Sequence, residues 1–178
     1  MRKAALCLFA WGLGLALPDY LRAAVTDNHG SAFSIESTAI IKAPPAVVYR
    51  ELALVSRWWD PAHTWSGSAS NLSLQMQAGG CFCEKLAGGG SVQHGRVINV
   101  QPGVLLRLDA PLGPLQEMPV TAVLTFKLAP SGAGTLVTMT YRVSGAFTME
   151  SAKLAPIVDS VLNTQLERLR AHVDALAK

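Results

Sequence analysis

Charge is scarce in this sequence. Asp, Glu, Lys and Arg make up only 15% of the 178 residues, and much of the formal net charge of +3 comes from the N-terminal stretch, where Arg2, Lys3 and Arg22 stand against Asp19. Setting those four aside leaves 12 basic residues against 11 acidic ones. A near-neutral domain without a Lys/Arg run offers phosphate backbones no electrostatic footprint, which excludes duplex binding. Long apolar runs are missing too: the stretch from Ala4 to Leu17 stops at 14 residues, short of the roughly 20 that cross a bilayer as a helix. Cysteine is limited to Cys7, Cys81 and Cys83, too few for the paired ligand sets of a structural zinc module. Gly88-Gly89-Gly90 lacks the Lys-Ser/Thr that completes a phosphate-cradling loop, and no nucleophile elbow is present to begin a Ser-His-Asp set. No cofactor motif is legible.

The first segment has the layout of a secretory signal: basic Met1-Arg2-Lys3, the apolar run, Pro18, then small Ala23 and Ala24. The expected organisation is a signal peptide over residues 1–23, a small polar linker over 24–32, and one domain over 33–178. The mature chain is expected to be exported, periplasmic or secreted, with no stable membrane span; the alternative is a chain tethered by an uncleaved signal. Cys7 lies too early to be a lipid-modified first residue.

From Phe33 to Lys42 apolar and polar residues alternate as in a half-buried strand. Pro44-Pro45 opens a helix that carries Val47, Val48, Leu52 and Val55, and a second short helix runs into Trp58-Trp59-Asp60-Pro61, where Pro61 stops it. Six strands punctuated by turn residues follow, at about 72–76, 81–86, 92–100, 104–108, 122–128 and 137–143. A helix over about 151–177 repeats Leu154, Ile157, Val158, Val161, Leu162, Leu166, Leu169 and Val173 every three or four residues, with Pro156 expected in its first turn. A sheet of that extent must cover one face, and only this helix is long enough to do so. The predicted class is α+β: a curved antiparallel sheet wrapped around a long C-terminal helix, with two short helices after the first strand.

That order, with Trp58-Trp59-Asp60-Pro61, Gly79-Gly80-Cys81-Phe82-Cys83-Glu84, Gly95-Arg96-Val97, Pro102-Gly103-Val104-Leu105-Leu106-Arg107 and Gly134-Thr135-Leu136-Val137-Thr138, resembles the START-like or SRPBCC superfamily, in its branch of polyketide cyclases and homologues of the heat-shock-ATPase activator. The resemblance covers about residues 33–177. It implies a helix-grip fold with a cavity between sheet and helix for lipids, polyketides or similar apolar molecules, and it implies no universal catalytic set.

Four groups of residues carry candidate chemistry. Cys81 and Cys83 share one strand face at a spacing too wide for an unstrained disulfide. Beside the bland reading of two small buried hydrophobes stands a redox pair or, with His94, a soft-metal site. Glu84 and His94 lie on two arms of one hairpin and can form a general-base pair or fix the polar end of a ligand; the bland reading is a solvated cross-strand ion pair. Tyr141 completes the catalytic candidates. Trp58 and Trp59, which cannot both face one core from a helix, suit a cavity mouth, and Phe126, Met139, Tyr141, Val158, Leu162 and Leu166 are core or cavity wall. The leading functional expectation is a binder of a small hydrophobic molecule. A cyclase- or hydrolase-like enzyme using Glu84 and His94, and a protein-interaction module with a filled core, are the alternatives.

Overall fold

A computed structural model describes residues 22–132 and 134–176. The stretch expected as a signal peptide lies outside them except for residues 22 and 23. Eight strands form one antiparallel sheet in the order β1-β2-β8-β7-β6-β5-β4-β3. They are β1 (Arg22–His29), β2 (Ala32–Ile41), β3 (Leu72–Leu74), β4 (Cys81–Lys85), β5 (Ser91–Gln101), β6 (Leu105–Asp109), β7 (Val120–Ser131) and β8 (Gly134–Gly145). Alternation decides which face is covered. Phe33, Ile35, Ala39 and Ile41 of β2, Ala122, Leu124, Phe126 and Leu128 of β7, and Val137, Met139, Tyr141 and Val143 of β8 are all buried, as residues two apart on one strand must share a face.

The covering element is α3 (Ser151–Leu176), whose Leu154, Leu162, Leu166, Leu169 and Val173 turn inward. The sheet curves around it, so the architecture is the predicted α+β arrangement. Pro156 stands at the sixth position of α3, a turn later than expected, where it removes one backbone hydrogen bond.

The stretch expected as a linker over 24–32 is instead mostly strand. β1 pairs with β2 from Arg22↔Thr38 to His29↔Ala32, around a turn in which Gly30 takes φ 47°, a conformation that glycine adopts without a Cβ penalty. The reason is topological: β2 would otherwise present a row of unpaired backbone groups at the sheet edge. Ser151 Oγ at the start of α3 also donates to Asn28 Oδ1 at 2.5 Å, tying the edge strand to the helix.

Between β2 and β3 the chain forms α1 (Pro45–Ala53), α2 (Val55–Trp58) and a short 3-10 turn at Pro61–His63. These pieces are fastened to α3 by polar contacts. Glu51, buried at 3% exposure, meets His172 Nε2 at 3.1 Å. Arg168 Nε donates to the Trp58 carbonyl at 2.9 Å, and the Asp60 N–H donates to Gln165 Oε1 at 2.8 Å. The segment is thereby fastened to the C-terminal half of the long helix, and its residues 62–65 reach forward to form one wall of the site.

Candidate functional site

Trp58 and Trp59 are both buried, which two neighbours on one helix could not be, because α2 ends between them. Trp58 is the last helical residue, whereas Trp59 is extended at φ −61°, ψ 142°, and this break lets both rings enter one interior side by side, with centroids 5.5 Å apart. Trp58 Nε1 donates to the Glu51 carbonyl at 3.1 Å and Trp59 Nε1 to the His63 carbonyl at 3.0 Å, which satisfies both indole donors out of water.

Trp59 opens onto a cavity of about 330 Å³. One side is Leu154, Ile157, Val158, Val161 and Leu162 of α3; facing it are Ala62–Trp65 and Leu112–Leu115, with His94 on the sheet side. The volume is at the low end for small-molecule sites, and the walls are mainly apolar with a few polar groups. Of the residues expected to touch a ligand, Trp59, Val158 and Leu162 line this cavity. Trp58 and Phe126 border only a void of about 10 Å³ beneath it, and Met139, Tyr141 and Leu166 are packed in the core. The loop walls at 62–65 and 112–115 carry no periodicity that would mark them in the sequence.

The polar centre is the pair Glu84 and His94. The reading of a solvated ion pair is overturned: Glu84 is 1% exposed and His94 5%. Glu84 pairs with Val92, not His94, and the register shifts between Phe82 and Cys83. His94 is the extra residue of that bulge and, with Gly95, forms two consecutive inward positions, since a bulge breaks the alternation of faces. Its Nε2 lies 2.8 Å from Glu84 Oε2, and its ring rests 5.1 Å from that of Phe82, which in turn meets Trp59 edge-on at 5.2 Å. Gly95 is required by the close approach of β6: a Cβ there would fall 2.6 Å from Ala110 Cβ and 3.0 Å from the Asp109 carbonyl oxygen.

Glu84 also accepts from the backbone N–H groups of Trp65 at 3.0 Å and Ser66 at 2.5 Å. Burial pushes its carboxyl up, but the hydrogen bonds from Ser66, Trp65 and His94 outweigh it and hold the group below its usual value of 4.5. It therefore stays a carboxylate that orients the imidazole and anchors the Trp65 loop, whose indole is a half-exposed rim of the cavity.

Tyr141 does not fit the catalytic role anticipated for it. Its hydroxyl donates to the Ala110 carbonyl at 2.8 Å and accepts from the Leu112 N–H at 3.1 Å, and burial raises its pKa. It is a strut behind the Leu112–Leu115 wall. Cys81 and Cys83 are joined as a disulfide with Cα atoms 5.4 Å apart. That corrects the expectation from spacing alone: the distance is shorter than the roughly 6.6 Å of two strand steps and lies inside the disulfide range. Both cysteines are half-buried, alternating with buried Phe82 and Glu84, so they share no site with His94. Among the described residues no group of three or more His, Cys, Asp or Glu side chains is placed to hold a metal ion, and no helix is long and apolar enough to cross a membrane.

The architecture recurs in solved structures. Protein MLL2253 from Mesorhizobium loti superposes with a TM-score of 0.59 at 20% identity, over 80% of this chain and 97% of that one. An uncharacterised protein from Rhizobium leguminosarum gives a TM-score of 0.61 at 16% identity over 84% and 99% of the two chains. The crystal structure of CalU16 from Micromonospora echinospora gives 0.55 at 18% identity over 86% and 83%. At these identities the likeness is one of fold: a sheet gripping a C-terminal helix. No protein-family model matches the chain. No curated protein matches it either.

Proposed function

We propose that this protein is a START-like, SRPBCC-type binder of one small hydrophobic molecule, held between the N-terminal half of α3 and the loops at 62–65 and 112–115. The observation that carries this reading is the cavity of about 330 Å³, apolar on nearly all sides yet reached by an oriented imidazole. A protein-interaction module with a filled core is less well supported, because the interior is not filled at this end. The leader-like residues 1–23 support an exported chain, periplasmic or secreted. Sequencing the N-terminus of the natural protein tests that part: a start near residue 24 is expected, and an intact Met1 on a membrane-bound chain would replace it with tethering by an uncleaved signal.

The binding reading is tested by purifying the protein from an envelope or secreted fraction, denaturing it and extracting it into organic solvent for mass spectrometry. A stoichiometric apolar compound is expected. A clean extract, together with failure of apolar probes to quench Trp59 and Trp65 fluorescence saturably, would sink the reading.

One observation favours a second reading, an enzyme of the cyclase or hydrolase type. The Glu84–His94 pair is buried, its carboxylate engages one ring nitrogen, and the ring faces a space that can take a substrate, which is the arrangement of an oriented general base. Time-dependent conversion of the extracted compound by wild-type protein, lost in His94→Gln with binding retained, would establish it.

A further inference from the structure

Hydrogen-bond logic fixes the proton positions on two histidines of the cavity. A backbone N–H only donates, so the Gln165 atom that meets the Asp60 N–H at 2.8 Å is the amide oxygen. The amide nitrogen then points the other way, toward the Val161 carbonyl at 3.4 Å and His63 Nδ1 at 2.9 Å. An amide nitrogen cannot accept, so His63 Nδ1 must be the bare nitrogen and its ring proton sits on Nε2. For His94 the partner is a carboxylate, which only accepts, so the proton of the neutral ring is again on Nε2, and Nδ1 is bare. Both rings line the same cavity. Among the described residues, His63 Nε2 and His94 Nδ1 have no hydrogen-bond partner. One tautomer thus serves opposite ends: His63 offers the cavity a donor, and His94 offers it an acceptor.

We infer that the ligand is a small apolar molecule with two separate polar handles, a hydroxyl that donates to His94 Nδ1 and a carbonyl that accepts from His63 Nε2–H. The inference rests on the cavity-binding reading and narrows it. A pure hydrocarbon or a fatty chain entering this space would strip water from both nitrogens and return nothing to either. A carboxylate is disfavoured as well, because it would bring a second negative charge toward the ring that Glu84 already holds and would have no proton for Nδ1.

The test uses four probes of nearly one shape on the full mature protein: tetralin, its ketone α-tetralone, its phenol tetrahydronaphthol, and a hydroxytetralone with both groups on opposite rings. Binding is read by titration calorimetry. Each single handle should tighten binding over tetralin by about threefold to tenfold, the range of one net hydrogen bond. His94→Phe should erase the gain from the hydroxyl and spare that from the ketone, and His63→Phe the reverse. Because His94→Phe can upset folding by leaving Glu84 short of a donor, nitrogen NMR of the wild-type imidazoles supplies an independent reading. Both rings should carry the proton on Nε2; the phenol should move the His94 Nδ1 resonance, and the ketone that of His63 Nε2. Equal affinity for all four probes, or a His94 proton on Nδ1, would overturn this inference and leave the cavity reading standing. No saturable binding of any probe would remove both.

Discussion

The two halves of α3 use the same apolar periodicity for different ends. Toward its C-terminus Leu166, Leu169 and Val173 are fully enclosed, in one core with Met139 and Phe126. Toward its N-terminus Leu154 and Leu162 are as well buried, yet Ile157, Val158 and Val161 face space. What differs is the opposing surface. The C-terminal half meets the sheet and the short helices α1 and α2, to which Arg168 and His172 bind; the N-terminal half faces, on its cavity side, loops held off by Glu84 at Trp65 and Ser66 and by Tyr141 at Leu112. A polar prop keeps a wall at a distance that apolar collapse would close. Stability is thus concentrated in one half of the molecule and the capacity to bind in the other.

Substitutions can break that division. Leu166→Ala in the solid half should cost about 3–5 kcal/mol, because a buried leucine leaves both transfer and cavity terms behind; chemical denaturation measures it, and probe binding in the surviving folded fraction should change little. Next comes Glu84→Gln, expected to cost about 2 kcal/mol at neutral pH through weakened charge-assisted bonds, and also to loosen the Trp65 rim and weaken ligand binding. Tyr141→Phe strands the Leu112 N–H and the Ala110 carbonyl and should cost about 1–2 kcal/mol, with a larger relative loss of binding than Leu166→Ala. Val158→Ala, on the wall of an existing cavity, should cost less than about 1 kcal/mol and enlarge the range of probes accepted.

Acid should reveal the same asymmetry. Glu84 and Glu51 are both buried, which raises them, but hydrogen bonds from Ser66, Trp65 and His94 in one case, and from His172 and Arg50 in the other, bring both carboxyls below 4.5. A carboxyl whose folded value is depressed stabilises the fold above its unfolded value, and that stabilisation is lost as pH falls through the folded value. Unfolding free energy should therefore decline as pH drops below about 4.5, and less steeply in Glu84→Gln. An unchanged slope in that variant would mean that Glu84 does not prop the loop.

The sheet and helix were legible because burial on one face imposes a period, and β2 through β8 and α3 all carry it. β1 was not: most of its residues from Thr26 to His29 are exposed, and an edge strand with little to bury leaves no pattern. Glu84 and His94 were legible as chemistry but not as a buried pair, since their face depends on a bulge. The one available signal was Gly95, a lone glycine within a strand pattern. That Trp58 and Trp59 share one core depends on α2 ending at Trp58, earlier than Pro61 requires.

The bulge at His94 makes the site a matter of counting. Strands have two faces and therefore a parity; β5 shifts register twice, at His94 against β4 and at Ile98 against β6, and the first shift makes His94 and Gly95 consecutive inward positions. Deleting one residue at the first shift, whichever it was, would restore alternation from Val92 to Val97 and send one side of that stretch the wrong way: either Val97 would leave the core, or the position of His94 would turn to solvent. The position is thus far more tolerant of exchange than of loss. A lineage of this fold can change the ligand by replacing side chains around the cavity, but a single-codon deletion in this short stretch would remove the site and leave the composition of the protein almost untouched.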